Sequence, residues 1–190
     1  MDSTIQGMAG IMDLTRQDGV PCKVGISIAD ILGGQFALLG SGDVGMEAAF
    51  QDLASRWPDS VGVRIGYDET LAHQMVAGGD VIMVPSRFEP CGLTQLYGLR
   101  YGALPLVRRT GGLEDTVIDA TPAALADGCA TGIQFGPPTV TEFTWGVRRM
   151  VELYHQPALW QQVRRTAMTR DFGWERSARA YLALYQGLRQ

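Results

Sequence analysis

Val81-Ile82-Met83-Val84-Pro85-Ser86-Arg87-Phe88-Glu89-Pro90-Cys91-Gly92-Leu93-Thr94-Gln95 is the stretch that decides how this chain is read. The apolar run 81–84, closed by a proline, predicts a strand covered on both faces, and residues 93–101 predict a helix. A loop that leaves a buried strand and opens a helix lies at the carboxyl edge of a parallel sheet, where open α/β folds bind ligands. The N–H groups of Gly92, Leu93 and Thr94 would then point out of the helix start and, with the helix dipole, form an anion site suited to phosphate. Thr94 adds a hydroxyl donor. Glu89 is an unfavourable neighbour for phosphate unless it turns toward something neutral, and sugar hydroxyls are such a partner for a carboxylate. A purely structural alternative stands beside this one, in which Glu89 and Thr94 cap the helix.

Working outward, further apolar runs at 35–39, 61–65, 104–107 and, more weakly, 132–135 alternate with helical patterns at 46–57 and 69–77. This rhythm predicts a doubly wound α/β fold with a parallel sheet. The last third changes to carboxyl-terminal helices. Val147, Met150, Val151 and Tyr154 form one apolar stripe, and Trp160, Val163 and Ala167 form another behind Pro157. Trp174, Ala178, Tyr181, Leu182 and Tyr185 form a third, whose aromatic residues read as core. Residues 1–34 are an atypical start to a domain that occupies 35–190. A short strand fits 10–12, but Pro21 and Gly25 fall where the next helix is expected.

Composition narrows the function. The 190 residues are 46% hydrophobic and 19% charged with a net charge of −4, which suits a folded domain and gives no basic field for nucleic acid or anionic lipid. Neither a signal peptide nor a membrane span is expected. Cys22, Cys91 and Cys129 have no spacing for a disulfide framework or a zinc site, so a reducing, cytoplasmic setting fits. No metal and no cofactor is expected. His73 and His155 are too far apart in sequence to suggest a catalytic pair, and the arginines between 148 and 170 read as a solvated helical face. Arg108 and Arg109 with Thr110-Gly111-Gly112 form a turn that either faces phosphate or is structural.

Residues 77–117, from Ala77-Gly78-Gly79-Asp80 to Arg109-Thr110-Gly111-Gly112-Leu113-Glu114-Asp115-Thr116-Val117, closely resemble bacterial glycogen synthases and plant starch synthases. Leu38-Leu39-Gly40-Ser41-Gly42-Asp43, Arg64-Ile65-Gly66-Tyr67-Asp68-Glu69 and Asp171-Phe172-Gly173-Trp174 resemble the same family in the same order. The resemblance implies the carboxyl-terminal, donor-binding half of a GT-B glycosyltransferase, which works with an amino-terminal half. It implies transfer of glucose from ADP-glucose to an α-1,4-glucan with retention of configuration. The matching positions are Glu89, the catalytic candidate, for the donor sugar's hydroxyls, Gly92, Leu93 and Thr94 for the diphosphate, and Tyr67 beside the adenine. The final helix would cross back to the other half, leaving part of its apolar face exposed in this chain.

One departure matters. Met12-Asp13-Leu14-Thr15-Arg16-Gln17-Asp18-Gly19 has carboxylates at Asp13 and Asp18 where the family uses an arginine and a lysine against the diphosphate. Like charges repel, so this favours a second expectation, a noncatalytic nucleotide- or glucan-binding module of the same fold. Tyr97 stands where related glycosyltransferases often carry a second glutamate; bacterial glycogen synthases look similar there.

Overall fold

The computed structural model describes residues 8–10 and 34–188. Its strands are β1 (Met8–Gly10), β2 (Phe36–Gly40), β3 (Val61–Ile65), β4 (Val81–Val84), β5 (Leu104–Arg108) and β6 (Ile133–Phe135). The helices are α1 (Val44–Arg56), α2 (Glu69–Gly78), α3 (Thr94–Tyr101), α4 (Gly111–Thr116), α5 (Pro122–Ala126), α6 (Val140–Tyr154), α7 (Pro157–Met168) and α8 (Trp174–Gly187). The predicted runs return with shifts of one or two residues at their ends. The strand expected at 10–12 lies at Met8–Gly10, while Asp13, Arg16, Asp18, Pro21, Cys22 and Gly25 fall outside the described residues. The short helices α4 and α5 are additions to the pattern read from the sequence.

The strands form one parallel sheet in the order β3-β2-β1-β4-β5-β6, the doubly wound arrangement that the alternating pattern predicts. The winding reverses between β1 and β4, which opens a crevice at the carboxyl ends of those strands. All four residues of β4 and the first four of β5 are buried. Two apolar layers explain this. Met83, Leu104, Leu106 and Phe135 belong to one core with Leu99, Met150, Trp160 and Val163, while Ile82, Val84 and Val107 belong to the other with Val76, Leu113 and Val117. Each large side chain so covered contributes roughly 1.5–3 kcal/mol. Two helix starts at the carboxyl edge, those of α1 and α2, are fixed by carboxylates. Asp43 Oδ1 accepts from the N–H groups of Gly45 (3.0 Å) and Met46 (3.1 Å), and Asp68 Oδ1 from that of Leu71 (2.9 Å).

Two expectations about the helices are corrected. Trp174, Tyr181, Leu182 and Tyr185 of α8 are 85%, 60%, 56% and 61% exposed, so they are not core; the exposure implied by the family resemblance is what occurs. An amphipathic stripe specifies a helix with one apolar face but does not name the surface that covers it. Nor are the arginines of α6 and α7 simply a solvated face. Arg149 is 17% exposed, pairs with Asp119 Oδ1 at 3.1 Å, donates to the Ala120 carbonyl at 3.0 Å, and lies over the Trp145 ring.

Candidate functional site

The site is built where β4 leaves the sheet. Gly92 has φ +70°, a conformation that favours glycine, and it turns the chain into α3. The residue before the helix is Leu93, and no side chain among the described residues caps the helix start. Neither Glu89 nor Thr94 therefore caps α3. Among the described residues, the N–H groups of Gly92, Leu93 and Thr94 meet no backbone acceptor. The N–H groups of Leu93 and Thr94 are among the donors a helix leaves over at its start, and that of Gly92 precedes them in the turn at the carboxyl edge of β4. The half-buried Glu89 accepts instead from the Ser86 hydroxyl, with Oγ 3.2 Å from Oε2.

The turn is held from behind by residues that lie far along the chain. The Gly112 N–H donates to the Glu89 carbonyl at 3.0 Å. A Cβ on Gly111 would overlap the Glu89 carbonyl oxygen, and one on Gly112 would overlap that of Cys91. The Thr110-Gly111-Gly112 turn is glycine-rich because the backbone of the 89–91 segment lies directly against it. Arg108 donates from one guanidinium nitrogen to the carbonyls of Ser86 (3.4 Å) and Arg87, so it braces the loop rather than facing phosphate. Arg109 turns away, with Nε 3.0 Å from Gln134 Oε1. Gln95 closes the unit: the two N–H bonds of its Nε2 are shared among the carbonyls of Cys91 (3.1 Å) and Gly92 (2.9 Å) and Thr116 Oγ1 (3.1 Å). The sequence reading missed this role. The available signal was a polar residue in the first turn of a helix otherwise buried at Gly98 and Leu99.

Tyr67 is 87% exposed in the loop after β3, following Gly66 at φ +131°, and so is not a core aromatic. It stands at the same carboxyl edge as Glu89, three strand positions away, or about 14 Å at the usual strand spacing. The sheet thus brings Glu89, Gly92, Leu93 and Thr94 into one turn and sets Tyr67 apart along the same edge. His73 packs edge-on against Tyr97, with ring centres 5.2 Å apart, and its Nδ1 lies 3.3 Å from the Tyr101 hydroxyl. His155 lies against Tyr154 at the end of α6. Among the described residues no three His, Cys, Asp or Glu side chains come together as a metal site, and no helix is long and apolar enough to cross a membrane. A shallow depression lined by Phe36, Pro58, Gly62 and Met75 opens at the opposite, amino edge of the sheet.

No protein-family model matches the chain. A glycogen synthase from Cereibacter sphaeroides is 59% identical over 156 residues, 82% of this chain and 33% of that protein. A glycogen synthase from Pectobacterium carotovorum is 49% identical over 190 residues, 99% of this chain and 40% of that protein. Among solved structures, the catalytic domain of starch synthase IV from Arabidopsis thaliana bound to ADP and acarbose superposes with a TM-score of 0.79 at 32% identity, over 97% of this chain and 38% of that one. The chain thus spans 33% to 40% of the length of these glycogen synthases. Over the stretch it spans, the chain belongs to the glycogen synthase and starch synthase family of GT-B glycosyltransferases.

Proposed function

We propose that this chain is the donor-binding part of an α-1,4-glucan glucosyltransferase that uses ADP-glucose. The observation that carries the reading is the set of N–H groups at Gly92, Leu93 and Thr94 that meet no partner among the described residues, in the same turn as Glu89 at the carboxyl edge of a doubly wound sheet. In the reaction, C1 of glucose loses its bond to the β-phosphate oxygen and gains one to the 4-hydroxyl oxygen at the non-reducing end of the glucan. The hydroxyl proton is released and ADP departs. Negative charge grows on the diphosphate as that bond breaks, and fixed N–H donors aimed there stabilise it without having to reorganise. Glu89 accepts hydrogen bonds from the sugar hydroxyls and so holds C1 over the diphosphate end. Tyr67 offers an exposed ring at the far end of the same edge for the adenine.

An acceptor-binding part, the amino-terminal glycosyltransferase domain of the family, completes the cleft and excludes water, which strengthens every contact within it. The free thiols of Cys91 and Cys129 suit a cytoplasmic setting. The test is calorimetric titration of the 190-residue chain with ADP and ADP-glucose, followed by incubation with ADP-glucose and glycogen. Saturable ADP binding without glycogen-dependent ADP release is expected. Absence of ADP binding sinks the reading, and release above the no-protein background shows the chain to be sufficient alone.

Asp13 and Asp18 favour a second reading, a nucleotide- or glucan-binding module without turnover. Under it, Asp13→Arg with Asp18→Lys tightens ADP binding, most at low salt, because two repulsive charges become attractive. Equal affinities at both salt concentrations would place the two carboxylates away from the phosphates.

A further inference from the structure

We propose that Gln95 is the positioning residue of this anion site, fixing both the direction of its N–H donors and their offset from Glu89; the inference rests on the nucleotide-binding reading above. Gln95 has no solvent exposure, and its Oε1 is buried without a partner among the described residues, while its Nε2 lies within 3.1 Å of three acceptors. Burial alone would favour an apolar residue, since an unpaired buried carbonyl oxygen is unfavourable. The amide is kept for what its nitrogen does.

That nitrogen holds the carbonyls of two successive residues, Cys91 and Gly92, toward the protein interior. A trans peptide is planar, with its C=O and the following N–H pointing in opposite directions. Drawing the Cys91 carbonyl inward therefore turns the Gly92 N–H outward, and drawing the Gly92 carbonyl inward does the same for Leu93. Gly92 and Gln95 fit as a pair, because a Cβ at Gly92 would lie 2.5 Å from Gln95 Oε1. The third contact sets the offset. Thr116 Oγ1 accepts from Gln95 and donates to the Gly112 carbonyl at 2.5 Å, and the Gly112 N–H holds the Glu89 carbonyl. One side chain thus ties the diphosphate donors, through α4, to the segment that carries the sugar-binding carboxylate.

The experiment compares the 190-residue chain with its Gln95→Met, Gln95→Glu, Thr116→Val and Thr116→Ser variants. Affinities for ADP, inorganic pyrophosphate and adenosine are measured by calorimetry, and backbone order of the Gly92 and Leu93 amides in the nucleotide-free chain by NMR relaxation. Gln95→Met is expected to weaken ADP and pyrophosphate at least ~10-fold, the scale of losing hydrogen bonds that orient a charged ligand, while adenosine is unchanged and both amides gain motion. Gln95→Glu is expected to weaken them further, with the ratio to wild type recovering as pH falls and the new carboxyl regains a proton to donate. Thr116→Val should give a smaller loss in the same direction, with Thr116→Ser close to wild type; this pair decides the matter if Gln95→Met does not fold. Unchanged ADP affinity and unchanged amide order in folded variants overturn the inference and leave the nucleotide reading standing. Loss of amide order in variants of a chain that binds no ADP supports the positioning role and removes the nucleotide reading instead.

Discussion

The turn from Glu89 to Gln95 and the helix α8 are both legible as local sequence patterns, yet the molecule treats them in opposite ways. The turn is held from behind: carbonyls of Glu89 and Cys91 lie against Gly111 and Gly112, Arg108 braces the segment that leads into it at Ser86 and Arg87, and Gln95 is buried at its end. Helix α8 keeps its aromatic face in solvent, from Trp174 at 85% exposed to Tyr185 at 61%. A helix forms wherever its own stripe and hydrogen bonds allow. A turn whose donors face outward persists only when something distant holds its carbonyls inward.

Substitutions that attack each region should therefore differ in kind. Gly112→Ala is expected to lower the free energy of unfolding by about 3 kcal/mol, the upper end of overpacking costs, because the obstacle is the Cys91 backbone oxygen. Gly62→Ala, where a Cβ meets nothing within 4 Å, is the control, and urea unfolding of the pair is the measurement. If the two cost the same, the turn is not held from behind as described.

Glu89→Ala, read in the corresponding stretch grafted into the Pectobacterium carotovorum glycogen synthase, should lower glucose transfer about 100-fold with stability unchanged, as for loss of a positioned transition-state contact. Unaltered turnover takes Glu89 out of the site. The opposite end of β4 sharpens the contrast. Burial pushes the Asp80 carboxyl above its ordinary value of 3.8, against the pull of Arg164. A raised carboxylate pKa makes the fold most stable when Asp80 is protonated, and that stability is lost as pH rises from 3.8 through the raised value. Asp80→Asn should accordingly gain stability over wild type at neutral pH and lose that advantage below pH 3.8, as thermal unfolding across the range would record. The smallest effect belongs to α8. Tyr181→Ser with Tyr185→Ser should change unfolding free energy by less than ~0.5 kcal/mol, as for open surface positions. A larger loss would mean that the exposed face is covered in solution.

The sheet is legible because β4 and β5 are buried on both faces, and such strands must be written as unbroken apolar runs. The site's location follows from that, since a loop after a buried strand falls at the binding edge. What is not legible is contact between residues some twenty positions apart. Nothing local at Gly112 announces the Glu89 carbonyl, and nothing at Gln95 announces Thr116. Arg149 belongs to the same class: helical spacing puts it on a polar face, and only the fold brings Asp119 and the Ala120 carbonyl against it. The α8 aromatics fail for a different reason, because burial was inferred from residue type alone.

The close approach at Gly112 also predicts how the chain can change over generations. Gly146 is crowded by side chains, its added Cβ meeting Leu106 Cδ1 at 3.0 Å and Phe135 Cβ at 3.2 Å. A shorter residue at Leu106 removes the tighter of these two contacts, so alanine at 146 has a compensating partner. Gly112 meets the main chain of Cys91, which every residue type at position 91 carries alike. No second substitution at that neighbour restores the space. In a library selected for folding, Gly146 should covary with Leu106, while Gly112 should stand invariant and uncoupled, with revertants recovered only at codon 112 itself.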